Sequence, residues 1–126
     1  MTDEHVALYR QLSETRAYKE RFTIWKKGDV VKLPYESKLH IYYPFSNLAK
    51  AILETKGAFW LPPVFDPENP ERCLAGMLNG AINLERMSGD WAVLSGSDGH
   101  GFYTHRVSDD RLDLALIKAI LKQEEL

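Results

Sequence analysis

The sequence predicts an α+β domain in which an antiparallel sheet of about six strands carries an N-terminal helix, a middle helix and a C-terminal amphipathic helix. The clearest evidence is the last third of the chain. There 81–87, 91–94 and 102–107 have strand-forming composition, are separated by glycine-rich turns, and precede an apolar helix that begins near Asp110. A capped middle helix and strand-like segments around the turn 27–29 add to this evidence.

The first two helices are predicted from their ends. Thr2 can cap a helix whose first turn carries two acidic residues, where negative charge suits the helix dipole. Ser46 is the predicted N-cap of a helix that runs to Lys56, and Gly57 follows as the glycine that commonly ends a helix. Both termini of the middle helix therefore carry the expected residue types.

The C-terminal helix is predicted to follow a cap at Ser108 or Asp109. Apolar residues cover most of its circumference, which indicates burial on more than one side. One arrangement places this helix between the sheet and the first helix. The other places it in a homodimer, against a second copy of the chain.

Four further segments complete the predicted architecture. The β-branched and aromatic segments 22–25 and 30–33 flank a turn and predict a hairpin. In 38–43, Leu39, Ile41 and Tyr43 alternate with His40 and Tyr42, as in a strand with two different faces. A short strand is predicted over 58–61 and a short helix over 70–78, where Gly76 weakens the helix.

Composition narrows the classes of function. The chain has 126 residues, so we expect a single domain over 1–126. Its net charge of −2 makes a nucleic-acid partner unexpected, and it lacks an apolar run long enough to cross a bilayer. The single Cys73 cannot form an internal disulfide, and the N-terminus does not resemble a signal peptide. We therefore expect a cytoplasmic protein without membrane attachment, cofactor or metal.

The order of elements also resembles a known group of small proteins. The segment 43–54, the meander containing Gly89-Asp90-Trp91 and the apolar helix 110–121 are similar to the ABA-sandwich proteins of bacteriophages, including the NinX-like proteins. The resemblance covers roughly Tyr43 to Lys122 and implies a fold and a phage context, hence a host cytoplasm. It implies no activity and no catalytic residues. The tryptophan usual in the first helix of that group is absent, and 22–33 has no clear counterpart.

One loop has residues suited to a small ligand. Ser95–Gly101 contains three glycines, whose main-chain N–H groups can surround an anion. Ser97, Asp98, His100 and His105 could add side-chain contacts, which predicts, as an alternative, a small-ligand or nucleotide-binding protein or a weak hydrolase. The loop lacks the phosphate-binding fingerprints, and an ordinary hairpin turn explains the same residues.

Aromatic residues in the first half give the preferred prediction. They are too numerous for all of them to be buried easily, and exposed Tyr and Trp side chains are enriched at protein interfaces. Several lysines lie next to them in the sequence. We therefore expect a small non-enzymatic binding protein, plausible as a phage or mobile-element accessory factor that engages a host protein. The expected binding residues are Trp25, Lys26, Lys27, Tyr35 and Tyr42.

Overall fold

Two three-stranded antiparallel sheets, not one sheet of six strands, form the β part of this α+β protein. The computed structural model describes residues 2–80, 82–96 and 98–125. None of the helices in those residues has the length and apolar character needed to cross a bilayer. The elements are α1 (Asp3–Ser13), α2 (Arg16–Arg21), β1 (Val30–Lys32), β2 (Leu39–Ile41), α3 (Asn47–Glu54), β3 (Phe59–Leu61), a 3-10 turn (Ala75–Met77), β4 (Ile82–Met87), β5 (Asp90–Ser95), β6 (His105–Asp109) and α4 (Leu112–Glu124).

The helices separate the two sheets. The first sheet has the strand order β2-β1-β3, and the second has the order β4-β5-β6. Helix α4 packs on β5 and β6, and α1 packs on both α4 and β3. The main core lies there, while α3 closes a smaller core around Val31 of the first sheet. Each sheet buries an apolar face against helices, so the six strands need not form one continuous sheet.

The predicted N-caps of α1 and α3 are confirmed, but α3 ends at Glu54 with Thr55 as its C-cap, before the predicted end at Lys56 and Gly57. The Thr2 hydroxyl accepts the main-chain N–H of His5 at 3.3 Å, and the His5 ring accepts the N–H of Thr2 in return. The Ser46 hydroxyl accepts the N–H of Ala49 at 3.0 Å. Each serves a donor that the first turn of a helix leaves without a partner.

The predicted cap of α4 is wrong. Strand β6 continues through Ser108 to Asp109, and Arg111 occupies the cap position without a side-chain hydrogen bond to the helix. The Asp109 carboxylate instead pairs with Lys118 at 2.7 Å, about two turns into the helix. Within α4 the buried side chains include Leu116 and Ile117, both fully inaccessible. The apolar circumference of α4 is therefore covered within one chain, between α1 and the second sheet.

The predicted hairpin between 22–25 and 30–33 is also wrong. The turn that should close it does form, since the N–H of Asp29 donates to the carbonyl of Lys26 at 3.0 Å. However, β1 pairs with β2 and β3, and Phe22 to Trp25 lie outside any strand. The Phe22 ring stacks on Trp60 with centroids 5.6 Å apart. These aromatic side chains therefore fill the core in this part of the chain and do not belong to a paired strand.

The predicted helix over 70–78 is reduced to the 3-10 turn. A Cβ atom on Gly76 would lie 2.0 Å from the carbonyl oxygen of Pro70, so only glycine fits this close approach. The buried Cys73 lies in the same segment, where its thiol donates to the Pro70 carbonyl at 3.3 Å. The N–H groups of Leu74 and Ala75 donate to the carbonyls of Pro63 and Val64 instead of forming helical hydrogen bonds.

Candidate functional site at the edge strand β2

The five predicted binding residues do not share one surface. Lys26, Lys27 and Tyr35 are exposed. Trp25 is half-buried, and its ring stacks on the buried Tyr42 with centroids 6.0 Å apart. Trp25 and Tyr42 are therefore packing residues that support the turn 26–29, while the two lysines project from it.

An ion pair holds this turn in place. The Arg72 guanidinium donates to both carboxylate oxygens of the buried Asp29 at 3.0 Å. Asp29 also accepts the main-chain N–H of Lys26 at 2.8 Å. The Arg72 guanidinium lies 4.5 Å from the centre of the Trp60 ring, which completes a cation–π contact. The bidentate geometry fixes the turn against β3 and against the chain around Arg72, which follows the proline-rich segment 62–70.

A cleft of about 350 Å³ opens beside the turn. Its walls include Val30 of β1 and Leu61 of β3, and Lys26 and Lys27 lie at its border. Neither lysine has a carboxylate within 4.0 Å in the part of the chain that the structure describes. Asp66 also lines the cleft, but one of its oxygens already accepts the N–H groups of Glu68 and Asn69.

Strand β2 alternates as predicted, yet its apolar side faces outward. Leu39 is 38% exposed and Ile41 is 48% exposed, whereas Tyr42 is 8% exposed. The reason is that helices cover the two faces of the first sheet unequally. Helix α3 covers the face of the first sheet that carries Val31, while α1 covers the opposite face only at β3. Leu39 and Ile41 therefore extend a core-like face beyond the helix that would bury it.

The main chain of β2 has an open edge. Tyr42 exchanges hydrogen bonds of 2.8 Å with Gly28 and Asp29, and the register places His40 opposite Val31. In an antiparallel pair, successive residues point their main-chain groups alternately toward and away from the partner strand. The N–H and C=O groups of Leu39 and Ile41 therefore point away from β1, and no described residue pairs with them.

The opposite edge of the same sheet is closed by a side chain. The Tyr18 hydroxyl accepts the main-chain N–H of Trp60 at 2.8 Å and donates to the carbonyl of Trp60 at 2.9 Å. Burial is the main cause that raises the pKa of Tyr18 well above its ordinary value, so the hydroxyl stays protonated and able to donate. One side chain thus satisfies the outer edge of β3, and the same contact confirms which way the main chain of β1 points.

The edges of the second sheet are protected differently. Glu85 and Arg86 lie on β4, and Arg106 and Asp109 lie on β6. Charged side chains on an edge strand oppose pairing with another chain. Among the described strand edges, β2 alone combines open main-chain groups with apolar side chains and no Lys, Arg, Asp or Glu within the strand.

Aromatic side chains continue this surface beyond the strand. Tyr35 precedes β2, and Tyr43 and Phe45 follow it; all three are exposed. Phe45 is completely exposed on a backbone with φ of 68°, a conformation that costs a bulky residue about 1–3 kcal/mol. We call Tyr35, Leu39, Ile41, Tyr43 and Phe45 the edge surface. Sequence reasoning missed Leu39, Ile41 and Phe45 as site residues, because the alternation shows two faces without showing which one α3 covers.

The glycine-rich loop is organised by its own main chain. One Asp98 oxygen accepts the N–H of His100 at 2.7 Å and that of Phe102 at 3.2 Å. His100 is exposed, and His105 is half-buried at the start of β6. Ser97, also predicted for this site, lies outside the described residues. Within those residues, no group of three or more His, Cys, Asp or Glu side chains is placed to hold a metal ion.

Comparison with known proteins adds no relative to these observations. The sequence matches no protein-family model, and searches among curated proteins and among solved structures return no significant match.

Proposed function

We propose that this protein is a non-enzymatic binding protein that captures an extended segment of another protein by adding it as a strand beside β2. The observation that carries the proposal is the edge surface itself: an open strand edge whose side chains are apolar. Main-chain hydrogen bonds supply affinity in strand addition, and side-chain contacts supply selectivity. A captured segment would extend the order β2-β1-β3 by one strand.

The available energy is consistent with a reversible interaction. Two residues of β2 direct main-chain groups outward, and a hydrogen bond contributes about 1 kcal/mol net. Covering the exposed parts of Leu39, Ile41 and Tyr43 adds burial at about 25 cal/mol per Å² of apolar area. Such an interaction suits a segment that is already extended and exposed, since ordering a flexible chain would offset part of this gain.

The resemblance to phage proteins is the ground for the biological setting. In a phage or mobile element, the captured segment would belong to a host protein. The alternative, a small-ligand or nucleotide site or a weak hydrolase at the loop 95–101, stays a prediction on the residues given above.

The test measures binding of a fluorescein-labelled peptide with alternating Val and Thr residues and Asn residues at both ends. Ile41→Lys places a charge on the open edge and should weaken binding at least about tenfold, because edge lysines block strand pairing. Bound peptide should also slow amide hydrogen exchange at Leu39 and Ile41, whose N–H groups would gain partners.

Met87→Lys is the matched control. Met87 is 52% exposed on the edge strand β4, so the same chemical change is made on a different strand edge. It should leave peptide binding unchanged, and both variants should unfold at nearly the wild-type temperature, since both positions are exposed. Equal binding by wild type and Ile41→Lys, or amide protection confined to the second sheet, would refute strand addition at β2.

A further inference from the structure

We infer that the segment bound at β2 carries acidic residues at its ends, which contact Lys26 and Lys27 at one end and Lys38 at the other. This inference rests on the proposed function and names the chemistry of the partner. It comes from the positions of these lysines relative to the open edge and from the charges around them.

The lysines frame the strand. Lys38 immediately precedes β2, and the turn 26–29 lies at its other end, where Tyr42 bonds to Gly28 and Asp29. All three lysines are exposed, and none has a carboxylate within 4.0 Å among the described residues.

Three of the neighbouring acids are already engaged, whereas Glu68 and Glu71 share a second cleft with Lys26 without an ion pair to it. Asp29 is held by Arg72, and Glu36 pairs with His40. The cleft residue Asp66 accepts two main-chain N–H groups through one carboxylate oxygen. The protein has a net charge of −2, so positive charge at both ends of one strand is a local property and not a reflection of the total. Complementary charge at an interface favours the matching partner and disfavours others.

The cleft adjoins the sheet face that carries Ile41. In the register of the first sheet, Ile41, Val30 and Leu61 are direct cross-strand neighbours, so their side chains share one face. Val30 and Leu61 line the cleft that Lys26 and Lys27 border. An acidic side chain just beyond the paired part of a bound segment can therefore enter this cleft while the apolar part covers Ile41.

The same charges argue against a second copy of the chain as the occupant. Antiparallel self-pairing about His40 would place Leu39 opposite Ile41 of the other copy, which is an acceptable apolar match. It would also bring the two His40 residues together and place Lys38 of each copy at the end where the other copy carries Lys26 and Lys27. Like charges placed opposite each other destabilise strand pairing.

The experiment compares two peptides with the same alternating Val and Thr core, one with Asp pairs at both ends and one with Asn pairs. Wild type should bind the acidic peptide roughly fivefold tighter, the effect expected of a few exposed ion pairs. The double variant Lys26→Gln/Lys27→Gln should lose most of that preference and bind the Asn-ended peptide as wild type does. Salt should weaken the acidic peptide selectively, because it screens exposed charges.

Lys122→Gln, an exposed lysine on α4, is the control variant and should keep the full preference. If both peptides bind equally and both depend on Ile41, strand addition stands and the acidic partner is refuted. If neither peptide binds, strand addition fails and this inference fails with it. Binding of vesicles containing anionic lipid, lost in Lys26→Gln/Lys27→Gln while both peptides fail, would identify a membrane surface as the partner and overturn the inference.

Discussion

Removal of the Tyr18 hydroxyl tests how the closed edge of the first sheet is stabilised. The variant Tyr18→Phe keeps the ring, which packs near Phe22 and Trp60, and deletes only the oxygen that serves both main-chain groups of Trp60. Those groups are buried, since Trp60 is 1% exposed and Tyr18 is 5% exposed. An unsatisfied buried polar group costs about 1–3 kcal/mol, so we expect a loss of about 2–4 kcal/mol in the free energy of unfolding.

Urea unfolding measures this loss, with Tyr9→Phe as the matched control. Tyr9 is equally buried, but its hydroxyl donates one hydrogen bond, to Asp113 at 2.8 Å. Asp113 keeps its two contacts with Arg111 when that bond is lost. Tyr9→Phe should therefore cost only about 1 kcal/mol. The dependence of the unfolding free energy on urea should be the same in both variants, because neither changes the surface exposed on unfolding.

Two results would refute this reasoning. One is a cost for Tyr18→Phe no larger than that for Tyr9→Phe, which would mean that water replaces the hydroxyl at the edge of β3. The other is unchanged amide exchange at Trp60, because the N–H of that residue loses its acceptor in the variant.

The remaining predictions concern two ion pairs. Burial alone would raise the pKa of Asp109, but hydrogen bonds from Lys118, Asp110 and the main chain of Arg111 lower it to about 2. The folded state therefore binds this proton less readily than the unfolded state, so the stabilisation is present above about pH 5 and is lost as the pH falls toward 2. In thermal unfolding, the melting temperature of Asp109→Asn should fall less than that of wild type over that pH range. Arg72→Met leaves the buried Asp29 without its positively charged partner and should lower the free energy of unfolding by about 3 kcal/mol. Adding Asp29→Asn to this variant should restore part of that loss in the same urea assay.

The sequence predicts correctly those elements that depend on residues close together in the chain, such as capped helices and strands joined by short turns. Ser46 capped α3 as expected, and the meander of the second sheet formed with its strands in the predicted order, because caps and turns act over a few residues. The wide apolar surface of α4 also indicated burial on more than one side, as observed. Each of these features is determined mainly by neighbours along the chain.

The division into two sheets and the edge surface could not be predicted in this way. Strand pairing depends on distant contacts: β1 pairs with β2 and β3, and the aromatic residues at 22–25 join the core instead of the ladder. Alternation in 38–43 correctly separated Ile41 from Tyr42, but only the position of α3 decides which of the two is buried. Alternation alone therefore cannot identify Leu39 and Ile41 as exposed residues of the candidate site.

Cys73 gives the chain a native probe of its own motions. Its sulfur is sealed between the Pro70 carbonyl and the N–H of Gly76 and is almost inaccessible to solvent. A thiol reagent can reach it only after the segment 70–76 opens. Because the sequence contains a single cysteine, the labelling rate would report the frequency of that one opening event without an engineered tag.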